Sequence, residues 1–167
     1  IIDNDGCLNT RSAYVENTAD KAWMQGNGKG FAHLRSQYTD FENPFKEGTF
    51  RTIETIKKGK ESIAEWIPEI PQNGQYAVYV SYQTVPNSSD DALYTVYHKG
   101  GISQFKVNQK MGGGTWIYLG TFGFDTGKNN TCKVTLSNRS AKAGQIVTAD
   151  AVKIGGGMGN IARRISE

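Results

Sequence analysis

The chain has 167 residues, of which 37% are hydrophobic and 21% charged, with 20 glycines and only 4 prolines. This length corresponds to about one domain, and a domain of this size buries roughly 70% of its unfolded surface. The composition excludes a disordered tail and a collagen-like polymer, and no apolar run approaches the roughly 20 residues that a membrane span needs. The 19 basic and 16 acidic residues are spread along the whole chain. We therefore expect no nucleic-acid partner, because such a partner would require a concentrated basic stripe.

The first 50 residues predict mostly loop. Residues 1–5 (IIDND) indicate a short opening strand. Phe31, Leu34 and Tyr38 follow a helical spacing, but three glycines crowd the start of that stripe, so we expect one turn of helix at most. The chain starts with Ile instead of Met, and residues 161–167 resemble the opening of another segment. We therefore interpret the chain as a piece of a longer protein.

Beyond residue 50, short runs of β-branched and aromatic residues alternate with turn residues. The predicted strands are residues 50–56, 63–67, 75–82, 92–98, 102–108, 115–124, 132–137 and 145–154. The helical patterns of 10–15 residues that a βαβ fold requires are missing. The sequence therefore predicts an all-β fold, an antiparallel β-sandwich with a loop-rich N-terminal segment.

A glycine cluster at residues 155–159 (GGGMG) follows the last predicted strand. It does not match a dinucleotide-binding fingerprint, because Asn160 occupies the position of the last required glycine, and it lacks the Gly-Lys-Ser/Thr of a P-loop. We therefore interpret the glycine cluster as a flexible hinge between two domains. We therefore predict a single domain over residues 1–154, with an irregular insertion at 8–49, and a linker with the start of a following segment at 155–167.

Residues typical of catalysis or of metal binding are sparse. The two histidines, His33 and His98, have no Cys, Asp or Glu at ligand spacing, so we expect no metal site. A Ser-His-Asp triad can be drawn from His98 with the serines and aspartates of residues 88–91, but no nucleophile elbow supports it. We expect no catalytic residue and no cofactor. Residues 3–6 (DNDG) resemble the start of a calcium loop, although a turn capped by aspartates is the more usual structure.

Two aspartates are expected to have structural roles. Asp150 lies on the same side of its predicted strand as Ile146, Val152 and Ile154, so it should point inward. A buried carboxylate needs hydrogen bonds, and we expect backbone N–H groups of a neighbouring segment to supply them. Asp91 follows a turn-rich loop and is predicted to cap it.

The two cysteines, Cys7 and Cys132, lie far apart in the chain. A bridge that closes so long a loop would stabilise the fold by about 4 kcal/mol in the chain-entropy model. Two cysteines in a chain with an adequate core do not make a disulfide scaffold. The sequence leaves a bridge and two unrelated buried thiols equally open.

Candidate ligand-binding residues lie on the predicted hairpin of residues 94–108 and at the turn before Trp116. Sugars need aromatic faces for their apolar side and side chains that both donate and accept hydrogen bonds for their hydroxyls. The candidates are Tyr97, His98, Asn108, Gln109 and Trp116. The alternative is that these residues join the hairpin to its neighbour. The common parity of Trp116, Tyr118, Phe122 and Phe124 favours the core over a sugar platform.

Spaced motifs between residues 66 and 159 resemble the golvesin/xanthan-lyase C-terminal-like domain, a family described as carbohydrate-binding-domain-like. They are residues 70–80 (IPQNGQYAVYV), 91–98 (DALYTVYH), 107–109 (VNQ), 113–116 (GGTW), 119–124 (LGTFGF) and 147–152 (VTADAV). Residues 1–5 are similar to the first strand of that family, and residues 155–160 resemble those of Bacteroides-type proteins described as xanthan lyases or cell-wall amidase-like enzymes.

The resemblance implies that the antiparallel β-sandwich is of jelly-roll or carbohydrate-binding-module type. It also implies a non-catalytic accessory module of a larger bacterial enzyme that is secreted, periplasmic or on the cell surface. Its implied partners are a covalently linked catalytic domain and a polysaccharide or peptidoglycan glycan. A purely structural module that positions the catalytic domain is the alternative. The binding hypothesis loses its stacking platforms if four aromatic residues are all buried, namely Trp66, Tyr79, Tyr97 and Trp116.

Overall fold

The computed structural model describes residues 1–4, 6–7, 13–31, 44–46, 48–127 and 131–155. Within these ranges the chain forms strands and one short 3-10 helix, Pro44–Lys46. The strands are β1 (Ile2–Asp3), β2 (Gly6–Cys7), β3 (Ala13–Asn17), β4 (Met24–Gln25), β5 (Arg51–Glu54), β6 (Ile63–Ile67), β7 (Gly74–Val80), β8 (Ala92–His98), β9 (Gly101–Val107), β10 (Ile117–Phe124), β11 (Lys133–Ser137), β12 (Ile146–Ala149) and β13 (Ala151–Ile154). None of the helical residues described here forms a helix long and apolar enough to cross a membrane.

The strands form three antiparallel sheets. The first sheet has the order β10-β7-β13-β1-β2, the second β3-β6-β11-β8-β9, and a small third sheet β12-β5-β4. Side chains alternate between core and surface along the second sheet, as the buried and partly buried positions of β6 show. This arrangement confirms the predicted all-β sandwich.

The core lies between the first and second sheets. Trp66 and Tyr94 of the second sheet are fully buried and stack with their ring centroids 6.4 Å apart. Val78, Val80 and Val152 of the first sheet belong to the same cluster. Each side chain of this kind contributes about 1.5–3 kcal/mol when it is fully buried. The apolar positions of the predicted strands therefore hold the two sheets together.

The predicted strand at 145–154 is two strands in the structure, separated by Asp150. β12 pairs with β5 in the small sheet, whereas β13 pairs with β7 in the first sheet. Residues 147–153 are all buried, so this segment is covered on both faces. The backbone carbonyl of Asp150 accepts bonds from the Asn4 N–H at 3.1 Å and from Trp66 Nε1 at 3.3 Å. The junction therefore links the first two sheets.

The N-terminal segment contains strands that the loop-rich prediction missed. β3 pairs with β6 along its full length, and β4 pairs with β5. Tyr14 of β3 packs on Trp66 with ring centroids 5.4 Å apart. Phe31 of the predicted helical stripe is fully buried. Leu34 and Tyr38 lie outside the described residues, as do residues 156–167 of the predicted linker.

The structure shows the state of one of the two cysteines, Cys132. Cys132 is a buried free thiol. Its sulfur accepts a hydrogen bond from the Asp125 N–H at 3.5 Å. Cys132 therefore makes no bridge to Cys7, and it packs in the core as a small apolar residue.

Candidate functional site

The hairpin of β8 and β9 directs two adjacent candidate residues to different surfaces. Tyr97 lies on the outer face of the second sheet, where Lys133 Nζ is 5.1 Å from its ring centroid. His98 points toward the first sheet, and its ring lies 4.8 Å from that of Phe122 on β10. Because neighbouring residues of a strand face opposite sides, Tyr97 and His98 do not form one surface.

Both ring nitrogens of His98 are engaged within the hairpin. Nδ1 accepts a hydrogen bond from the Gly100 N–H at 3.2 Å. Nε2 lies 3.0 Å from Ser103 Oγ. Since Nδ1 accepts, we assign the proton of the neutral ring to Nε2, which then donates to Ser103. This arrangement fixes the ring and leaves its edge beside a pocket.

A shallow pocket lies at this end of the sandwich, between the β8–β9 turn and β10. We call it the hairpin pocket; its volume is about 340 Å³, at the lower end of the range for small-ligand sites. Its lining side chains are Gln75, His98, Lys99, Thr121 and Phe122. The amide, ammonium and hydroxyl groups provide both donors and acceptors, and the Phe122 and His98 rings provide an apolar side.

An aromatic surface continues from this pocket along the outside of the first sheet. Tyr118 is 56% exposed, and its ring packs on Tyr79 with centroids 5.3 Å apart. Tyr118 Oη and Thr121 Oγ1 are 2.6 Å apart, so the surface adjoins the hairpin pocket. We call Tyr79, Trp116, Tyr118 and Lys153 the β10 face. The register aligns Tyr118, Tyr79 and Lys153 across β10, β7 and β13.

Trp116 borders the β10 face and is partly buried. Its ring packs on Phe31 at 5.2 Å and on Phe45 at 5.6 Å between centroids. Lys153 Nζ lies 5.7 Å from the Trp116 ring centroid. Trp116 therefore fastens the N-terminal segment to the first sheet and still contributes an edge to the surface.

Lys153 is an unusual member of the β10 face, since only 7% of it is exposed. Its ammonium lies 5.2 Å from the Tyr79 ring centroid. Burial lowers the pKa of Lys153, because the charged form loses hydration. Two aromatic faces are thus its observed neighbours, and each attracts a cation through its quadrupole.

Gln109 does not belong to a ligand site. It is fully buried, and its Nε2 donates to Tyr94 Oη at 3.2 Å and to the Thr148 carbonyl at 3.0 Å. Its Oε1 accepts the Thr148 N–H at 2.9 Å. Both ends of the amide are used inside the protein, so we remove Gln109 from the candidate ligand-binding residues.

Asn108 is exposed, but its side chain is used in a local turn. Its Oδ1 accepts the Lys110 N–H at 3.0 Å. Its carbonyl accepts a bond from Tyr82 Oη at 3.3 Å. Asn108 therefore holds the loop before Trp116 and is not among the residues that line the hairpin pocket.

The two aspartates expected to be structural both accept several hydrogen bonds. Asp150 is fully buried, and its carboxylate accepts the Phe31 N–H at 3.2 and 2.9 Å. Burial alone would raise the pKa of Asp91, but bonds from Ser140, the Ala141 N–H and Ser89 outweigh it and lower this pKa. Both residues therefore join segments that are distant in sequence.

Another pocket, of about 360 Å³, opens beside β3 and β5. It is lined by Asn4, Tyr14, Glu16, Gln25, Thr49 and Arg51. Arg51 binds both oxygens of Glu16, at 2.7 and 3.0 Å. Tyr14 donates to the same carboxylate at 2.8 Å. These groups satisfy one another, and none of the exposed large hydrophobic residues lines this pocket.

The structure separates the residues of the triad drawn from the sequence. Ser89 donates to Asp91, and Ser88 accepts the Val85 N–H, while His98 contacts Ser103. Among the described residues, no group of three or more His, Cys, Asp or Glu could hold a metal ion. Asp3 of the calcium-like segment is buried, and Asp5 lies outside the described residues.

Sequence reasoning missed Tyr118 because of a β-bulge. The register of β10 against β7 shifts between Tyr118 and Gly120, which adds one residue to β10. Tyr118 therefore faces outward, whereas Phe124, six residues further along the strand, is buried. A glycine inside an aromatic strand pattern is a known signal of a bulge and was the available clue.

Comparisons with known proteins agree with the fold and with the sequence motifs. The family model described as the golvesin C-terminal domain matches residues 37–156. A xanthan lyase of Bacillus sp. (strain GL1) is 32% identical over 96 residues, which are 58% of this chain and 10% of that protein. The solved structure of a Paenibacillus xanthan lyase is similar, with a TM-score of 0.54 and 27% sequence identity. This match covers 86% of the present chain and 13% of the lyase chain.

This chain thus spans only about a tenth of the xanthan lyases that it matches. The family match covers well over half of the chain, from residue 37 to residue 156. It confirms the resemblance carried by the strand motifs. The chain belongs to the golvesin C-terminal domain family.

Proposed function

We propose that this chain is a non-catalytic accessory module of a larger secreted bacterial enzyme and binds polysaccharide or cell-wall glycan. The observation that carries the proposal is Tyr118, whose exposed ring adjoins a pocket lined by polar side chains. A sugar ring can stack on such a surface while its hydroxyl groups bond to amide, hydroxyl and ammonium groups. Of the predicted residues, His98 and Trp116 remain in the proposed site. His98 lines the hairpin pocket, and Trp116 borders the β10 face.

The comparisons support an accessory role. A xanthan lyase is among the proteins that this chain matches, and the match covers 10% of that protein. A module of this size beside a catalytic domain would concentrate that domain on its polymer through effective concentration. The proposal therefore includes a covalently linked catalytic domain as partner and a secreted, periplasmic or cell-surface location. It includes no cofactor.

A structural spacer that only positions a catalytic domain is the second candidate. It is favoured by the internal use of Gln109 and Asn108, two residues that the sequence placed in the site. The hairpin pocket is also shallow and small for a ligand site. Binding measurements separate the two functions.

The test is calorimetric titration of the chain with xanthan fragments and with peptidoglycan glycan. We expect binding of the wild type to one of them and a loss of about tenfold in affinity for Tyr118→Ala, since an aromatic contact contributes about 1 kcal/mol or more. Ile102→Ala is the matched control, because Ile102 is 60% exposed on the other sheet. Tyr97→Ala should also leave the affinity unchanged.

Two results would contradict the proposal. Loss of affinity in Tyr97→Ala or Ile102→Ala, with Tyr118→Ala unaffected, would place the site on the second sheet. Absence of binding of the wild type to both glycans would support the spacer.

A further inference from the structure

Lys153 is largely buried, but its ammonium group is not fully enclosed, and it has no carboxylate partner among the described residues. Its exposed fraction is 7%, and no described Asp or Glu oxygen lies within 4.0 Å of Nζ. A buried charge is costly unless an opposite charge or hydrogen bonds compensate it. Contacts with two aromatic rings offset only part of that cost.

Lys133 provides an internal comparison on the opposite side of the sandwich. Its Nζ lies 5.1 Å from the Tyr97 ring centroid, which nearly equals the 5.2 Å between Lys153 Nζ and the Tyr79 ring. Lys133 is also largely buried, but Glu65 Oε1 lies 3.4 Å from its ammonium. The second sheet therefore supplies an anion to its lysine, and the first sheet does not supply one among the described residues.

The surroundings of Lys153 suit a ligand that carries this missing anion. Tyr118, Tyr79 and Lys153 stand opposite one another on three adjacent strands, so Tyr118 and Lys153 are two strand spacings, or about 10 Å, apart. The ring of Tyr118 is exposed, and Trp116 forms the other border of the lysine. A group stacked on Tyr118 is therefore close to the ammonium.

We propose that Lys153 makes the β10 face selective for glycans that carry carboxylates. The carboxylate of an acidic sugar pairs with the ammonium between Trp116 and Tyr79, while a sugar ring stacks on Tyr118. This inference rests on the proposed glycan binding and specifies its ligand as a uronic acid or another carboxyl-bearing sugar. An ionic hydrogen bond of this kind is about twice as strong as a neutral one.

The experiment compares native xanthan with xanthan whose carboxyl groups have been reduced to alcohols. Reduction removes the charge and keeps the sugar rings, so the two polymers differ in the group that Lys153 would bind. Affinities are measured for the wild type, Lys153→Met, Lys153→Arg and Lys133→Met. The methionine keeps most of the apolar stem of lysine, the arginine keeps the charge, and Lys133→Met removes a matched ammonium from the other sheet.

We expect the wild type to bind native xanthan about tenfold more tightly than the reduced polymer. Lys153→Met should abolish this preference, whereas Lys153→Arg and Lys133→Met should keep it. Equal affinity of the wild type for both polymers would overturn this inference and leave the proposed function standing. A preference that persists in folded Lys153→Met would also overturn it.

The comparison of the two polymers with the wild type needs no variant. It therefore tests the selectivity for carboxyl-bearing glycans even if Lys153→Met fails to fold. Failure to bind either polymer or peptidoglycan glycan would be a failure of the proposed function itself.

Discussion

At the scale of single residues, Asp150 has the densest set of structural contacts around the proposed site. Its carboxylate accepts the Phe31 N–H and a bond from Gln83 Nε2 at 3.3 Å. Its carbonyl accepts bonds from Asn4 and Trp66. Because Phe31 packs on Trp116, Asp150 also supports one border of the β10 face.

We predict that Asp150→Ala lowers the free energy of unfolding by about 1–3 kcal/mol, the cost of leaving buried hydrogen-bond donors without an acceptor. Urea unfolding at neutral pH measures the change. The control is Asp90→Ala, since Asp90 pairs with Lys142 at 3.0 Å on the surface. That pair should contribute less than about 1 kcal/mol. Equal stability of Asp150→Ala and wild type would contradict the structural role of this carboxylate.

Sequence reasoning found the burial of Asp150 but only part of its cause. Asp150 was predicted to point inward because it shares one side of a strand with Ile146, Val152 and Ile154. Asp150 is indeed buried. In the structure, however, Ala149 and Ala151 are buried too. The whole segment is covered, because it passes from the small sheet into the first sheet, and parity alone did not determine the outcome.

At the scale of elements, two glycines allow the N-terminal segment to approach the sandwich. Gly30 and Gly48 exchange backbone hydrogen bonds of 2.8 and 2.9 Å. A Cβ on Gly30 would collide with the carbonyl oxygen of Thr49 and come within 3.0 Å of Asp150 Oδ2. This close approach brings Phe31 to Asp150 and to the ring of Trp116.

We predict that Gly30→Ala destabilises the chain by about 1–3 kcal/mol, because the neighbouring atoms are backbone and a buried carboxylate, which cannot move aside cheaply. Thermal unfolding followed by circular dichroism measures the loss. Gly74→Ala is the control, since the nearest atom to its added Cβ is Tyr76 Cε1 at 3.8 Å. The control should change stability by less than about 1 kcal/mol. If both variants unfold at the wild-type temperature, the Gly30–Gly48 contact does not stabilise the fold.

Two features differ from the sequence prediction for a common physical reason: the direction of Tyr118 in strand 115–124 and the division of strand 145–154 into two strands. The bulge after Tyr118 exchanges the two sides of β10, and the break at Asp150 moves the chain from one sheet to another. Both irregularities depend on pairing with distant strands. A period-2 pattern in one segment does not contain that information.

At the scale of the whole molecule, the fold brings His98 within hydrogen-bond distance of the hydroxyl group of Ser103. The His98–Ser103 contact is the nearest approach to a nucleophile and its base. Nδ1 of this histidine accepts the Gly100 N–H, so Nε2 carries the proton and donates to the serine. A general base would need the opposite arrangement, with a free Nε2 lone pair toward the hydroxyl.

We predict that the 167-residue chain does not turn over xanthan, chitin-type substrates or peptidoglycan. Release of reducing ends and of unsaturated uronate products measures this. His98→Ala and Ser103→Ala serve as controls, because background activity from contaminating enzymes would be identical in all three samples. Turnover that either substitution abolishes would show that the chain is an enzyme.

The sequence by itself determined the fold class and the family. β-branched and aromatic runs at short intervals specify strands locally, and seven of the eight predicted runs coincide with single observed strands within about two residues at either end. Burial of one face of each strand then favours a sandwich. The same local residues carry the motifs of the golvesin C-terminal domain family.

Only the tertiary structure decided which surface the candidate residues share. It placed Gln109 in the core and Tyr97 on the outer face of the second sheet. It packed the ring of His98 against Phe122 of β10 and aligned Tyr118 with Lys153 across the first sheet. Side-chain direction depends on register, bulges and the sheet to which each strand belongs, and these are set by pairings between residues that are far apart in the chain. A local sequence pattern indicates that a segment favours a strand, but it does not indicate which other strands that segment pairs with.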